Sequence, residues 1–221
     1  MNIEKLELCV ANTDHITNTY LVYDDTKCAV LIDPADEAYK IKEKIEDLDL
    51  SIKYIILTHA HFDHVNALYD IKQYTNAKVL VHKNDFDMLI GKVDNASSMF
   101  NSKNKFLNEN EITTIEDEMC LKVGNTEYEI IHTPGHTAGS IIIYVKGNNM
   151  LITGDTLFAK SYGRCDLETG SFKDMVESLK KVFTKFNDEK IVICPGHGEN
   201  SNLSKVKKYI KLLLALKKIE L

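Results

Sequence analysis

Thr58-His59-Ala60-His61-Phe62-Asp63-His64 places four metal-capable side chains within six positions. Neutral imidazole nitrogens and carboxylate oxygens are the ligands that Zn²⁺, Fe and Mn favour. One ion rarely takes four ligands from so short a stretch, and chain geometry divides them. His59 and His61, two apart in extended chain, point the same way, whereas Asp63 and His64 follow a turn and can face a second point. The run therefore predicts two adjacent metal sites. A structural zinc more often uses paired cysteines, and the chain has no CxxC. Just upstream, the apolar run over 53–57 predicts a buried strand that delivers the histidines at its C-terminal end. Residues 65–74 predict a helix immediately after them.

Further outward, the N-terminal third alternates as strands do over 3–10, 18–23 and 28–32, with Asp24-Asp25 as a hairpin turn. Ala38, Ile41, Ile45 and Leu48 recur at a helical period over 36–48, and 78–81 predicts a short strand. This alternation favours parallel strands covered by helices. Residues 92–110 are polar and rich in Asn and Lys, anchored by Met99, Phe100, Phe106 and Leu107; so long a connection predicts a functional or disordered loop, here a possible substrate lid. Strands return over 119–123, 127–131, 140–145 and 150–153, with Gly147-Asn148 turning between the last two. Helix over 171–186, strand over 190–194 and a lysine-flanked helix from 204 complete the chain. No low-complexity linker divides it, so residues 1–221 read as one domain. The last helix carries Leu212, Leu213, Leu214 and Leu216, which predicts packing on the domain, or else a homodimer contact.

With 44% hydrophobic and 27% charged residues, the composition is that of a globular protein able to bury a sizeable core. A net charge of −6 argues against broad binding to nucleic acid, which depends on neutralising phosphates. No segment resembles a signal peptide, and no apolar run reaches the roughly 18 residues that span a membrane. Cys9, Cys28, Cys120, Cys165 and Cys194 are odd in number and scattered, as expected of reduced thiols in the cytoplasm. Cys165 and Cys194 lie near the motifs below and read as small buried apolar residues. Arg164 is the one arginine among 27 basic residues. Its planar, bidentate fork is something lysine cannot replace.

Three later segments extend the first run: Thr133-Pro134-Gly135-His136-Thr137-Ala138-Gly139-Ser140, Thr153-Gly154-Asp155-Thr156 and Cys194-Pro195-Gly196-His197-Gly198. Each puts a histidine or aspartate at a strand-end turn where glycine permits a sharp bend, and strand-end loops are where sheets of this class keep their sites. With these motifs in this order, the sequence resembles the metallo-β-lactamase-fold hydrolase superfamily, and within it the glyoxalase II-like branch. The resemblance implies an α/β fold, a four-layer αββα sandwich with metals in a cleft at one edge of the two sheets. It also implies that His59, His61 and His136 hold a first metal, that Asp63, His64 and His197 hold a second, and that Asp155 bridges them. Two divalent ions per chain are expected, zinc first, with iron or manganese as alternatives. The implied activity is hydrolysis of a small thioester of the lactoylglutathione kind by a hydroxide shared between the ions, with Asp63 also orienting that hydroxide.

The same resemblance assigns Asp33 to holding a metal-bound histidine from behind, although most relatives have Gly where this chain has Ala35. Arg164, nine residues after Asp155, matches a basic position that helps bind the glutathione backbone, with pairing to Asp166 as the alternative. His82 and His132 are expected to be packed, hydrogen-bonded histidines, and His15 lies in a polar turn within reach of substrate. Glyoxalase II proper has a C-terminal helical domain for which this chain has no room, so a short form is expected. True β-lactamases of the fold lack a His64-type ligand, which disfavours antibiotic hydrolysis. A persulfide dioxygenase using one iron is the main rival; a nuclease and a non-catalytic metal-binding protein rank lower. The expected partner is a small-molecule thioester, without nucleic acid or membrane, for a monomer or homodimer.

Overall fold

The computed structural model describes residues 1–100 and 105–219. Two six-stranded sheets pack face to face. The first joins β1 (Asn2–Cys9), β2 (Ile16–Tyr23), β3 (Cys28–Ile32), β4 (Ser51–Ile56), β5 (Lys78–His82) and β6 (Ile112–Ile115) in sequence order. The second joins β7 (Glu118–Val123), β8 (Thr126–His132), β9 (Ile141–Val145), β10 (Met150–Gly154), β11 (Val192–Pro195) and β12 (Ser201–Asn202), again with sequence neighbours adjacent.

Strand alternation sorts the apolar side chains into layers. Tyr20, Val22, Val30, Ile32, Ile56 and Leu80 of the first sheet meet Tyr128, Ile130, Ile141, Ile143 and Ile152 of the second in a shared central core. Their neighbours Leu21, Leu31, Ile55 and Val79 face outward, under α1 (Ala38–Asp47), α3 (Leu68–Thr75) and α4 (Phe86–Leu89). On the opposite side, Ile131, Ile142, Leu151 and Ile193 face α5 (Phe172–Lys185) and α6 (Leu203–Leu216). The layers thus run helix, sheet, sheet, helix, with a short α2 (Phe62–Val65) at the site. In α5, Met175, Val176, Leu179, Val182 and Phe183 form the buried stripe, and the Ser171 hydroxyl caps the helix by accepting from the Asp174 N–H.

Several expectations change. Among the described residues, parallel pairing is confined to β3 through β6 and to β10 with β11, and every other pairing is antiparallel. The helix expected over 65–74 starts only at Leu68 as α3, because the chain turns at Asn66-Ala67, where the Ala67 N–H bonds the carbonyls of Pro34 and Ala35, and α2 precedes that turn. Strands β6 and β12 went unpredicted. In 92–110, short 3₁₀ turns occupy Ser97–Phe100 and Glu109–Glu111, and residues 101–104 of the expected lid lie outside the described residues. Of the four C-terminal leucines, Leu214 is buried, whereas Leu212 and Leu216 are exposed. Among the described residues no helix is long and apolar enough to cross a membrane.

The C-terminal ends of β4, β8, β10 and β11 converge at one edge of the sandwich. Bonds between the sheets fix that edge: the Asn18 N–H to the Gly196 carbonyl at 2.7 Å, the Tyr20 hydroxyl to the Pro195 carbonyl at 2.8 Å, and the Ile141 N–H to the Thr58 carbonyl at 2.8 Å. Gly196 is required by space, since a Cβ there would fall 2.3 Å from Asp155 Oδ1 and 2.6 Å from His64 Cε1.

Candidate metal centre

His59 and His61 leave β4 in extended chain, and the turn after β8 brings His136 to meet them. The three rings stand edge-to-face, at 79° to 89° between planes and 4.6 to 4.8 Å between centroids. One nitrogen from each lies within 4.8 Å of the others. The outward nitrogens are pinned. His59 Nδ1 is 3.2 Å from the Thr58 hydroxyl, and His136 Nδ1 donates to the Arg164 carbonyl at 2.8 Å. The His136 bond makes Nε2 the acceptor nitrogen, and it takes a hydrogen bond from His61 Nδ1 at 2.9 Å. Burial, reinforced by neighbouring imidazoles, holds His59 well below its ordinary pKa and brings His61 down to about 3. Both are therefore in the neutral form that ligates metals.

The second group forms where α2 faces the end of β11. Asp63 Oδ2 and His197 Nε2 lie 3.3 Å apart, and His64 Nε2 is 3.4 Å from His197 Nε2 and 3.7 Å from Asp63 Oδ2. Asp155, at the end of β10, reaches both groups: Oδ2 is 3.4 Å from His136 Nε2 and 3.3 Å from His197 Nε2, and Oδ1 is 3.4 Å from His64 Nε2. Here too the far nitrogens are fixed. His64 Nδ1 donates to Asp33 Oδ2 at 2.9 Å and His197 Nδ1 to the Ile16 carbonyl at 2.7 Å. Burial opposes charge on His64, but Asp63, Asp155 and Asp33 together outweigh it and hold its pKa well above the usual imidazole value. His197 rises to about 10, with Asp155 and Asp63 overcoming burial. Asp63 and Asp155 are held well below the carboxylate range, their burial outweighed chiefly by His64 and His197.

These donors fit metal ions on two grounds. Tetrahedral ligation at roughly 2.0–2.2 Å separates neighbouring donors by about 3.3–3.6 Å, and the second group with Asp155 spans 3.3 to 3.7 Å. Secondly, His59 Nε2, His61 Nε2 and Asp155 Oδ1 are buried with no hydrogen-bond partner among the described residues. Leaving such atoms unpaired costs about 1–3 kcal/mol each, which ligation by His59 Nε2 and Asp155 Oδ1 would offset.

Asp33 sits behind the site, buried, with a left-handed backbone (φ 52°). Besides His64 it accepts from the Thr58 N–H at 2.7 Å and the Thr58 hydroxyl at 2.6 Å. Ala35 lies outside the left-handed region, so this turn makes no demand for glycine there. His15 lines the cleft, its Nε2 2.9 Å from Asp63 Oδ2 and its ring edge-on to His197 and Phe100. Arg164 lines it too, with Nε and Nη2 each 2.8 Å from an oxygen of Asp166. Ala96, Met99, Phe100, Phe158 and Leu167 form the apolar wall of this cleft of about 330 Å³. Cys194 is buried in the central core and Cys165 packs beside α5, so neither joins the metal donors. His82 and His132 stack on each other instead, away from the centre. One carboxylate behind the site, Asp85, escaped the sequence reading; it lies in a polar stretch with no motif spacing to mark it.

The family model of the Metallo-beta-lactamase superfamily matches residues 12–197. The chain belongs to that superfamily. Its relatives include the hydroxyacylglutathione hydrolase GloC of Haemophilus influenzae, 31% identical over 94% of this chain and 96% of that one. The fold also matches the crystal structure of BLEG-1, a B3 metallo-beta-lactamase (TM-score 0.85, 26% identity, 96% of this chain and 99% of that chain). TTHA1623, solved in a di-iron-bound form, matches with a TM-score of 0.81 at 28% identity, over 95% and 99% of the two chains. Superfamily membership and the paired donor groups place this chain among metal-dependent hydrolases.

Proposed function

We propose that this protein is a dinuclear metal-dependent hydrolase of small thioesters, similar in substrate class to a hydroxyacylglutathione hydrolase. One observation carries the reading: two three-donor groups share a single carboxylate, Asp155, within ligation distance of both. His59 Nε2, His61 Nδ1 and His136 Nε2 would hold one ion, and Asp63 Oδ2, His64 Nε2 and His197 Nε2 the other. Zinc suits this nitrogen and oxygen set, and the di-iron form of TTHA1623 makes iron the alternative. Bound there, such ions would supply Lewis acidity that polarises a carbonyl oxygen and lowers the pKa of water.

The chain's own groups account for the rest. Asp63 is steadied by His15 and by the Thr17 hydroxyl at 3.3 Å, both on Oδ2, which aims its carboxylate into the cleft floor. Phe100, Phe158 and Leu167 would exclude water around the carbon skeleton of the substrate. A departing thiolate has a conjugate-acid pKa near 8.5, so it leaves without a general acid. Thioester cleavage therefore requires no further acid over the cleft. Arg164 would take a substrate carboxylate. Its pair with Asp166 is exposed to solvent and therefore weak, so an incoming anion can replace that partner at little cost. Its main-chain carbonyl meanwhile orients His136.

A kinetic screen tests this reading with lactoylglutathione, smaller acyl thioesters, an oxygen ester and a β-lactam. Thioesters should give the highest kcat/KM, and Arg164→Lys should lower kcat/KM on carboxylate-bearing thioesters about tenfold while sparing uncharged ones. Hydrolysis of the β-lactam alone would contradict the reading. So would oxygen uptake on a persulfide with one iron per chain.

A further inference from the structure

Asp85 follows β5 in the 3₁₀ turn Lys83–Asp85, fully buried on the side of the metal loops away from the cleft. Its carboxylate accepts three hydrogen bonds, all from neutral donors on the two loops that carry the first histidine trio. The Ala60 N–H, between His59 and His61, reaches Oδ2 at 3.0 Å. The Thr137 hydroxyl, next to His136, reaches the same Oδ2 at 2.8 Å, and the Gly139 N–H reaches Oδ1 at 2.7 Å. A single oxygen is thus shared by both loops. The fit is close, since a Cβ on Gly139 would lie 2.5 Å from the Asp85 Cγ and Oδ1.

Burying a carboxylate without a cationic partner is expensive, and three neutral hydrogen bonds only partly offset it. An amide would pack as well here, but it brings one acceptor oxygen and an NH₂ group that would face an N–H or O–H donor. Only the ionised carboxylate accepts on both oxygens. The need for acceptors on both sides comes from the two loops, whose separation sets the distance from His59 and His61 to His136.

We infer that Asp85 is a positioning residue for the first metal site: it ties the His59–His61 loop to the His136 turn so that three imidazole nitrogens converge. This rests on the reading of that trio as a metal site. It differs from the role of Asp33, which touches a candidate ligand directly; Asp85 acts on the backbone that carries the ligands.

The test is zinc affinity, measured by competition with a chromophoric chelator on full-length protein. It compares wild type, Asp85→Asn and Gly139→Ala, each also in a His197→Ala background that retains the first site. Supporting groups of this kind are worth about 10–100-fold in metal affinity. Asp85→Asn should therefore weaken first-site zinc by about 10–100-fold, leave the second site within about threefold, and keep the melting temperature of the zinc-free protein within a few degrees. Gly139→Ala, which crowds the same carboxylate, should shift the same site in the same direction and carries the test if Asp85→Asn does not fold. Unchanged affinity at the first site, or equal weakening at both sites, would overturn the inference and leave the metal centre standing. Failure of wild type to bind zinc or iron would instead remove the metal-centre reading itself.

Discussion

Two histidine clusters in this chain look alike by content and differ in aim. At the sheet edge, His59, His61 and His136 stand nearly perpendicular to one another, and His64 and His197 meet at 89°. Near the start of β7, His82 and His132 also come within reach of a carboxylate, Asp117, and again one donor atom of each lies within 4.8 Å of the others. Yet these two rings are stacked, 3.8 Å apart and 11° from parallel. Ring lone pairs lie in the ring plane, so parallel rings send them side by side, whereas crossed rings can converge on one ion. Tautomers widen the difference. His82 Nδ1 accepts from the Asn84 N–H at 3.3 Å, leaving the proton on the nitrogen that faces Asp117. At the edge, the Asp33 carboxylate and the Ile16 and Arg164 carbonyls accept from the far nitrogens and aim the inner ones at the shared Asp155 carboxylate. Donor count alone does not distinguish a metal site from a packed pair; ring orientation and the partner of the far nitrogen do.

The sharpest way to break this comparison is to remove one histidine from each cluster. His61→Ala should cost at least one metal equivalent per chain and about 10³-fold in thioester kcat, since Lewis-acid stabilisation is worth several kcal/mol. His132→Gln, which retains a donor for the Ala138 carbonyl now 2.8 Å from Nε2, should leave metal content at two. Elemental analysis with single-turnover kinetics checks both. A smaller effect is expected from Asp33→Asn, which disturbs the pin on His64 Nδ1. Second-site metal affinity should fall about 10–100-fold, read by chelator competition.

The smallest effect concerns protons at the stacked pair. Burial, then the nearby His132, lowers His82 to about 4. A histidine with a depressed folded pKa contributes stability that is present above the unfolded value near 6.5 and lost as pH falls towards 4. His82→Phe keeps the stack and removes this titration. Denaturant unfolding between pH 6.5 and 4 should therefore lose about 2 kcal/mol less in the variant than in wild type. Asp24 supplies a separate, lower window. The Thr26, Asn125 and Thr126 donors, led by the Thr26 hydroxyl, overcome burial and hold it at about 2. Its contribution is lost only as pH falls from about 4 towards 2.

Much of the site could be read from the sequence because each donor stands in a short motif at a strand end. His136 and His197 follow Pro-Gly, Asp155 follows Gly, and a strand's length fixes where its end falls. The four-layer arrangement was implied by the family resemblance; alternation marked the strands, and in the structure Tyr20 and Leu21, or Ile142 and Ile143, face opposite layers. What escaped depends on partners far away in sequence. Strand β6 has two exposed threonines and only four residues; it is a strand because β5 pairs with it. Asp85 has no spacing that ties it to His59 or His136, 26 and 51 positions away. Only the folded loops place their N–H groups around it. The division of exposure along α6 was equally hidden, because a run of leucines fits more than one helical face.

The central claim is that the edge cluster converges on two ions that share Asp155. Elemental analysis of protein purified without added metal, beside His61→Ala and His197→Ala, tests it most directly. Wild type should hold two metal equivalents per chain, and each variant no more than one. A metal content unchanged by either substitution, or none in wild type even after incubation with zinc or iron, would contradict it.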